Sequence, residues 1–423
     1  MRCEVRRSPN FVCTAINEQI CALQVIQSAK QKGWVQGVKL FRRALPMTGP
    51  AYLLAQEVAR IIQPHFARHL AAADRREKEL APLPGSEVMA AIIDAAFWAS
   101  LRREEGFVPK ISLAFLPPER SAYPLLFEQA FPLAPDALTR LAPAVEQAGI
   151  HLGVWGEPAE LSVWGTTRNL PPYCFVLEAV SPGALVLKHS PGEDSGKFAN
   201  VAVIEGNKIK ILAQHSQMPG NCADHLNSLL EIGSPAKPDF AVNVLLQLAV
   251  SMRAHGRGGA LLVVPGEPAE WRDSMQSISY PVKPPFVELA DLVRSSSPER
   301  AQGRWQRALR RAVDAIAGLT AVDGATVISN DYRVLAFGAK IRRRGGFPLV
   351  EKVLLTEPVE NSVAEIVDPA QLGGTRHISA AQFAQDQRDA FALVASQDRR
   401  FTLLAWSSCD EMVHAHRIET LLM

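Results

Sequence analysis

Residues 304–341, RWQRALRRAVDAIAGLTAVDGATVISNDYRVLAFGAKI, decide how the chain is read. The first part, 304–322, is a basic amphipathic stretch at helical spacing, and 323–341 is two β-rich runs turning at Asn330-Asp331. Just upstream, AVNVLLQLAVSMRAHG (241–256) places Val242, Leu245, Leu246 and Ala249 on one helical stripe ending at Gly256. RGGALLVVPG (257–266) is a short apolar strand introduced by glycines, and a proline-rich, charged segment then runs to about 303. Downstream, 379–388 reads as a helix, AFALVAS (390–396) and FTLLAW (401–406) as strands, and the tail as helical. Helices alternating with strands over this length predict an α/β domain, a mixed sheet flanked by helices.

The Gly/Pro/Ser joint GSPAKPDFA (233–241) divides the chain into residues 1–235 and 238–423. The first of these reads as α+β. Its first 115 residues or so are mostly helical, with a helix over 51–80 broken or kinked at Pro64. A second helix spans 85–106, with Ser86 as cap and Gly106 as stop. From about 111 the pattern alternates as strands do: KISLAFLP, then 151–190, then a hairpin over 196–214 around Gly206-Asn207. GVWG (153–156) and SVWG (162–165) read as one hairpin carrying Trp155 and Trp164, which suit core or hairpin packing, with ligand stacking as the alternative.

Bulk composition narrows the functional classes. The chain has 423 residues, 48% hydrophobic and 21% charged, enough for two or three domains with real cores. Its 45 basic side chains barely exceed 43 acidic ones, which argues against nucleic acid as the main partner. Six cysteines (3, 13, 21, 174, 222 and 409) lack CxxC spacing or any zinc pattern, as expected of reduced cytoplasmic thiols. No apolar run reaches the roughly 18–20 residues that span a bilayer. The expectation is a cytoplasmic protein without a membrane span. His65 and His69 share a helical face without an evident third ligand, so they read as structural. His414 and His416 read as surface residues, and Arg342–Arg344 as a solvated basic loop that could alternatively catch pyrophosphate.

Three stretches carry chemistry: RGGALLVV (257–264), VDGATVI (322–328) and GGTRHISAA (373–381). A carboxylate at a strand start beside a glycine, Asp323 before Gly324, can hold a divalent cation or take a proton from a sugar hydroxyl. Arg376 and the backbone of Gly373–Thr375 at a helix entrance can neutralise phosphates. The combination points to nucleoside triphosphate chemistry with a metal. No GxxxxGK[ST] motif occurs, which sets P-loop enzymes aside.

In these places the chain resembles the bacterial diadenylate cyclase domain, which makes cyclic di-AMP from ATP. That family carries Asp-Gly-Ala, a downstream Gly-Thr-Arg-His-Arg, an upstream Arg-x-Gly-Ala strand and a late strand ending in Val-Ser-Glu/Gln. Here those places hold Asp323-Gly324-Ala325, Gly374-Thr375-Arg376-His377, Arg257-Gly258-Gly259-Ala260 and Ala395-Ser396-Gln397, in order, across about 240–410. VWGTTRNLPPYCFVLEAVSPGALVLKH (163–189) and GKFANVAVIEG (196–206) resemble the DACNV-like sensor domain that accompanies some of these cyclases.

The resemblance implies a diadenylate cyclase that condenses two ATP with release of two pyrophosphates, using Mn²⁺ or Mg²⁺. It places Asp323, Gly324, Arg376 and His377 in catalysis, with Asp323 as metal ligand. Ala325, Gly374, Thr375, Ser396 and Gln397 would bind ATP. Two cyclase domains must meet, so a homo-oligomer is implied, and the N-terminal part senses a ligand the sequence does not identify. One position departs from the pattern: Ile378 stands where the family has its last arginine. That leaves an inactive domain sensing ATP or cyclic di-AMP as the alternative.

Overall fold

The computed structural model describes residues 52–72, 80–147, 149–190, 199–212, 243–266, 270–295 and 303–423. The 233–241 joint lies outside the described residues, as do residues 1–51, the side chain of His69, and Cys3, Cys13, Cys21 and Cys222.

Two helices open the described chain, α1 (Leu54–Ala72) and α2 (Ser86–Ser100). Pro64 sits inside α1 without ending it, and Gly85 occupies the cap position of α2 with no side-chain cap. Strands β1 (Ile111–Phe115) and β2 (Leu125–Pro132) follow, then a short helix α3 (Pro135–Leu141). Next come β3 (His151–Trp155), β4 (Ser162–Thr167), β5 (Phe175–Ser181), β6 (Ala184–His189), β7 (Ala199–Glu205) and β8 (Lys208–Ile211). Among the described residues these form one sheet in the order β2-β4-β3-β1-β5-β6-β7-β8, antiparallel except for the β1/β3 pair. Met89, Ile92 and Ile93 of α2 and Ile62 of α1 bury one face of it against Leu113, Leu177 and Leu187. Both tryptophans sit in the β3/β4 hairpin: the Trp164 indole N–H donates to Leu116 O at 2.7 Å, and Trp155 packs on Phe115.

The second half begins with α4 (Val244–Ala254), capped by the Asn243 side chain accepting from Leu246 N at 2.8 Å. It continues with β9 (Gly259–Val264), β10 (Met275–Phe286), α5 (Glu288–Arg294) and α6 (Gly303–Leu319). Then come β11 (Ala325–Ser329), β12 (Val334–Ile341), β13 (Val353–Thr356), β14 (Glu365–Val367), α7 (Thr375–Asp386), β15 (Phe391–Ala395), β16 (Phe401–Ser407) and β17 (Met412–Arg417). Their sheet runs β10-β12-β11-β9-β15-β16-β17-β13-β14, with β9/β11 and β13/β17 parallel. Helices cover both faces. Leu248, Val313 and Ile316 of α4 and α6 pack on Leu261, Val263 and Leu393. Phe383 and Ala384 of α7 pack on Leu262, Val264 and Leu404. A strand buried on both sides is apolar at every position, which is why GALLVV reads as one unbroken run. Removing the fully buried Phe383 ring by Phe383→Ala would cost about 3–5 kcal/mol.

Four expectations need correction. The proline-rich segment holds β10, an edge strand, where a missing N–H costs no ladder bond on the open side. The tail is not helical: β17 pairs with both β16 and β13 before a final short 3₁₀ turn. Helix α7 starts at Thr375 rather than 379, because Gly374 serves as its cap position and Ser379 instead bonds back to Thr375 O. His414 and His416 are fully buried, not surface residues. Their positions on a central strand face neighbours on both sides, with His416 Nδ1 2.7 Å from Thr356 Oγ1 and His414 Nε2 2.9 Å from Asp410. Among the described residues no helix is long and apolar enough to cross a membrane.

Candidate functional site

Strand register builds the site. In the parallel β9/β11 pair Ala260 lies opposite Ala325, so Gly258-Gly259 and Asp323-Gly324 stand side by side at the strands' starting ends. Strand β15 runs antiparallel to β9 with Ala395 opposite Gly259, so Ser396 and Gln397 leave the sheet at that same end. Strand β12 brings Ala339 opposite Ala325, which sets Lys340 beside Asp323. Helix α7 crosses the face above, and its first turn lowers Arg376 to this edge. A Cβ at Gly258 would stand 3.0 Å from Arg376 Nη1, 3.2 Å from Ala395 O and 3.4 Å from Gln397 Cγ. Gly258 also has a φ of +70°, which favours glycine, so a side chain there would be strained as well as crowded.

Of the residues expected at a site, Asp323, Arg376, Ser396 and Gln397 thus gather at one sheet end, with exposed Gly374 and Thr375 at the helix start. No side chain caps α7, so its first-turn amides keep their capacity for an anion. Ala325 is buried within β11. Gly324 has a mundane reason to be glycine: its missing Cβ would fall 2.6 Å from Gly338 C on the neighbouring strand.

Two residues have unexpected surroundings. Asp323 is exposed, and its Oδ2 sits 2.5 Å from Lys340 Nζ. The Lys340 ammonium, as hydrogen-bond donor and as charge, holds the carboxyl below its usual range, and Arg376 adds to this. His377 turns inward and is buried against Gly373, whose Cβ would meet His377 Nδ1 at 2.5 Å. Burial lowers its pKa below the usual histidine value despite the opposing pull of Asp398, so the ring is neutral near pH 7. Its Nε2 is buried with no hydrogen-bond partner among the described residues.

Sequence reasoning missed Lys340, although the hairpin turning at Asn330-Asp331 already implied that it returns opposite Asp323. It also missed the stacked rings of Tyr280 and Phe337, centroids 4.6 Å apart, next to Gly338. No signal marked Tyr280, which lies in the segment read as proline-rich and charged. The basic loop is tied down in part: Arg344 pairs with Glu270 at 3.2 Å and Asp273 at 3.3 Å, and its backbone N–H donates to Asp386.

Among the described residues no group of three His, Cys, Asp or Glu could hold a metal ion. Among the described residues Asp323 is the carboxylate that Lys340 and Arg376 hold ionised at this sheet end.

A search of curated proteins finds no match. Among solved structures, a hypothetical membrane spanning protein from Bacillus cereus is 13% identical with a TM-score of 0.24. That alignment covers 42% of this chain and 63% of that one, so the chain spans less than two thirds of that structure's length. A double-cysteine variant of DacA from Staphylococcus aureus is 12% identical, with a TM-score of 0.21, over 41% of this chain and 83% of that one. Residues 78–168, from just before α2 through β4, match the family model of the probable sensor domain DACNV.

Proposed function

We propose that the chain is a diadenylate cyclase, in which residues 238–423 condense two ATP into cyclic di-AMP and release two pyrophosphates. Residues 1–235 act in this reading as its sensor domain, in a cytoplasmic setting where ATP is at hand. The sensor-family match at 78–168 supports the second part. The first part rests mainly on one juxtaposition: Arg376, the uncapped start of α7 and Gln397 meet Asp323 at a single sheet end.

In each of the two steps the 3′-oxygen of one ATP bonds to the α-phosphorus of the other. The bond from that phosphorus to the pyrophosphate oxygen breaks, and the hydroxyl proton leaves to solvent. Positioning and charge stabilisation carry such chemistry. Arg376 and the α7 amides hold phosphate oxygens. Asp323, held ionised by Lys340, is a weak base, so it orients the ribose hydroxyl rather than taking its proton. His377 is a positioning residue: buried and neutral, it fills the space under Gly373 and fixes the loop that carries Thr375 and Arg376.

A single carboxylate fits a hard cation that arrives with the nucleotide, since such ions keep waters and phosphate oxygens as their other ligands. Asp323 would hold it after release from Lys340, and the ion would supply charge neutralisation at the triphosphate.

The second reading, a nucleotide-binding domain without turnover, draws on Ile378, whose 38%-exposed apolar side chain stands in the first turn of α7. One experiment separates the two. The purified protein is incubated with ATP and Mn²⁺ and assayed for cyclic di-AMP by chromatography. Product is the expected result, with specific activity falling on dilution as paired domains separate. Tight ATP binding with no product would establish the second reading.

A further inference from the structure

The first sheet carries a cleft of about 780 Å³ at the start of α2. Its size suits a small organic ligand. Leu83, Pro84 and Pro158 form apolar walls, and the rings of Phe115 and Trp155, 4.7 Å apart and 35° from coplanar, stand within it. Glu87, Glu157 and Glu160 are the charged residues of the lining, and among the described residues no lysine, arginine or histidine lines it. The scaffold is tightly fixed. Ser162 Oγ donates to Trp155 O at 3.3 Å, and Glu160 N donates to Glu157 O at 2.8 Å. A Cβ at Gly156 would lie 2.7 Å from Glu160 O, so the Gly156–Glu160 turn packs on itself and aims both glutamates from one short loop.

The geometry points to this cleft as a binding site for an organic cation, an ammonium group joined to an apolar body. The argument is charge and shape together. An electron-rich indole face attracts a cation and favours ammonium groups over neutral ones. Three carboxylates with no basic counterpart exclude anions and draw cations. The proline and leucine walls desolvate the apolar body. The uncapped start of α2 would by itself favour an anion, but Glu87 in its first turn offsets that field. Binding does not depend on the cyclase reading. Only the cleft's role as sensor input rests on it.

The test uses the full chain, without ATP, and calorimetric titration with benzyltrimethylammonium, benzyl alcohol and phenylacetate. The cation is expected to bind at least about tenfold tighter than the neutral alcohol, and phenylacetate more weakly still. The double variant Glu157→Gln/Glu160→Gln alters only exposed side chains, so it should keep its melting temperature and lose about tenfold in cation affinity. Trp155→Leu should lose the preference for the cation. No binding of the cation, equal affinity for the alcohol, tighter binding of phenylacetate, or an unchanged affinity in the glutamine variant would each overturn the proposal. Cyclic di-AMP synthesis, assayed separately, stands or falls independently of all four.

Discussion

Asn200 Nδ2 donates a hydrogen bond to the Thr420 carbonyl at 3.0 Å, tying strand β7 of the first sheet to the final turn of the second half. It also donates to Met423 O at 2.9 Å. From that turn the contacts continue toward the candidate site. Arg253 Nη1 donates to Leu422 O at 3.4 Å, and Arg253 Nε to Arg399 O at 3.3 Å. Arg399 lies in the β15–β16 turn, closed by Ser396 N donating to Arg400 O, which carries Ser396 and Gln397. Glu205 of the first sheet and Glu419 both act on the Arg253 charge.

This chain of contacts predicts coupling between the halves. Asn200→Ala removes two hydrogen bonds and should cost about 1–3 kcal/mol in stability. Its distinguishing effect is local: faster amide hydrogen exchange at Ser396 and in residues 419–422, beyond any global change. Equal acceleration throughout the chain would mean that Asn200 merely stabilises the fold. Contact alone does not demonstrate coupling, so exchange at the distant turn is the measurement that matters.

Asp323→Asn should lower cyclic di-AMP synthesis by at least about 10²-fold, roughly 3 kcal/mol in barrier. The side chain is 86% exposed, so the melting temperature should hold. The pH profile gives a second readout. Asp323 must be ionised to act, and in the free enzyme Lys340 holds its pKa down, so the acid limb of kcat/KM should lie at lower pH than it would without Lys340. Lys340→Met removes that hold. Its acid limb should therefore move to higher pH, and an unmoved limb would assign the titration to another group.

His151 gives a stability prediction with a defined window. Its ring is buried, 2.7 Å from Ser112 Oγ, and desolvation lowers its pKa from 6.5 to about 4. The unfolded chain takes up this proton near pH 6.5, while the folded one resists until about pH 4. Stability from this group is therefore complete above pH 6.5, falls as pH drops through the window, and levels below about 4, by on the order of 3 kcal/mol in all. Burial lowers the pKa of His377, His189 and His414 as well, which steepens the same slope. Denaturation of wild type and His151→Gln at pH 7 and pH 5 isolates the His151 share. The wild type should lose more stability than the variant, and parallel losses would contradict the assignment.

What the sequence disclosed follows from how each segment is solvated. GALLVV is buried on both faces, so its burial is written in its composition. The 257–264, 322–328 and 373–381 stretches converge because two begin on adjacent parallel strands and the third begins the helix above them. Strand β10 was illegible because Pro281, Pro284 and Pro285 sit on a sheet edge, where the usual penalty against proline lapses. Strand β17, MVHAHR, was illegible for the opposite reason. Its polar-looking histidines are buried on a central strand, beside partners such as Thr356 that are remote in sequence. The start of α7 was misplaced because Ser379 suits the first turn of a helix, whereas the cap position is a glycine with no side chain to advertise it.

Ile378→Arg is expected to change cyclic di-AMP synthesis by no more than about tenfold in either direction. Successive side chains on a helix point about 100° apart. With Arg376 reaching Gly258 at the sheet edge and His377 turned into the core, position 378 faces away from at least one of them. Its side chain is 38% exposed, so an arginine there meets no packing barrier. A new charge-assisted phosphate contact would be worth at most roughly 1.5–3 kcal/mol, and an exposed, flexible one much less. The α7 amides and Arg376 already supply most of the anion field, so the wild type should be active without it. Steady-state assays of both forms, with ATP affinity measured in parallel, decide the matter. An inactive wild type that binds ATP, together with an active Ile378→Arg form, would show that this one residue converts a nucleotide sensor into a cyclase.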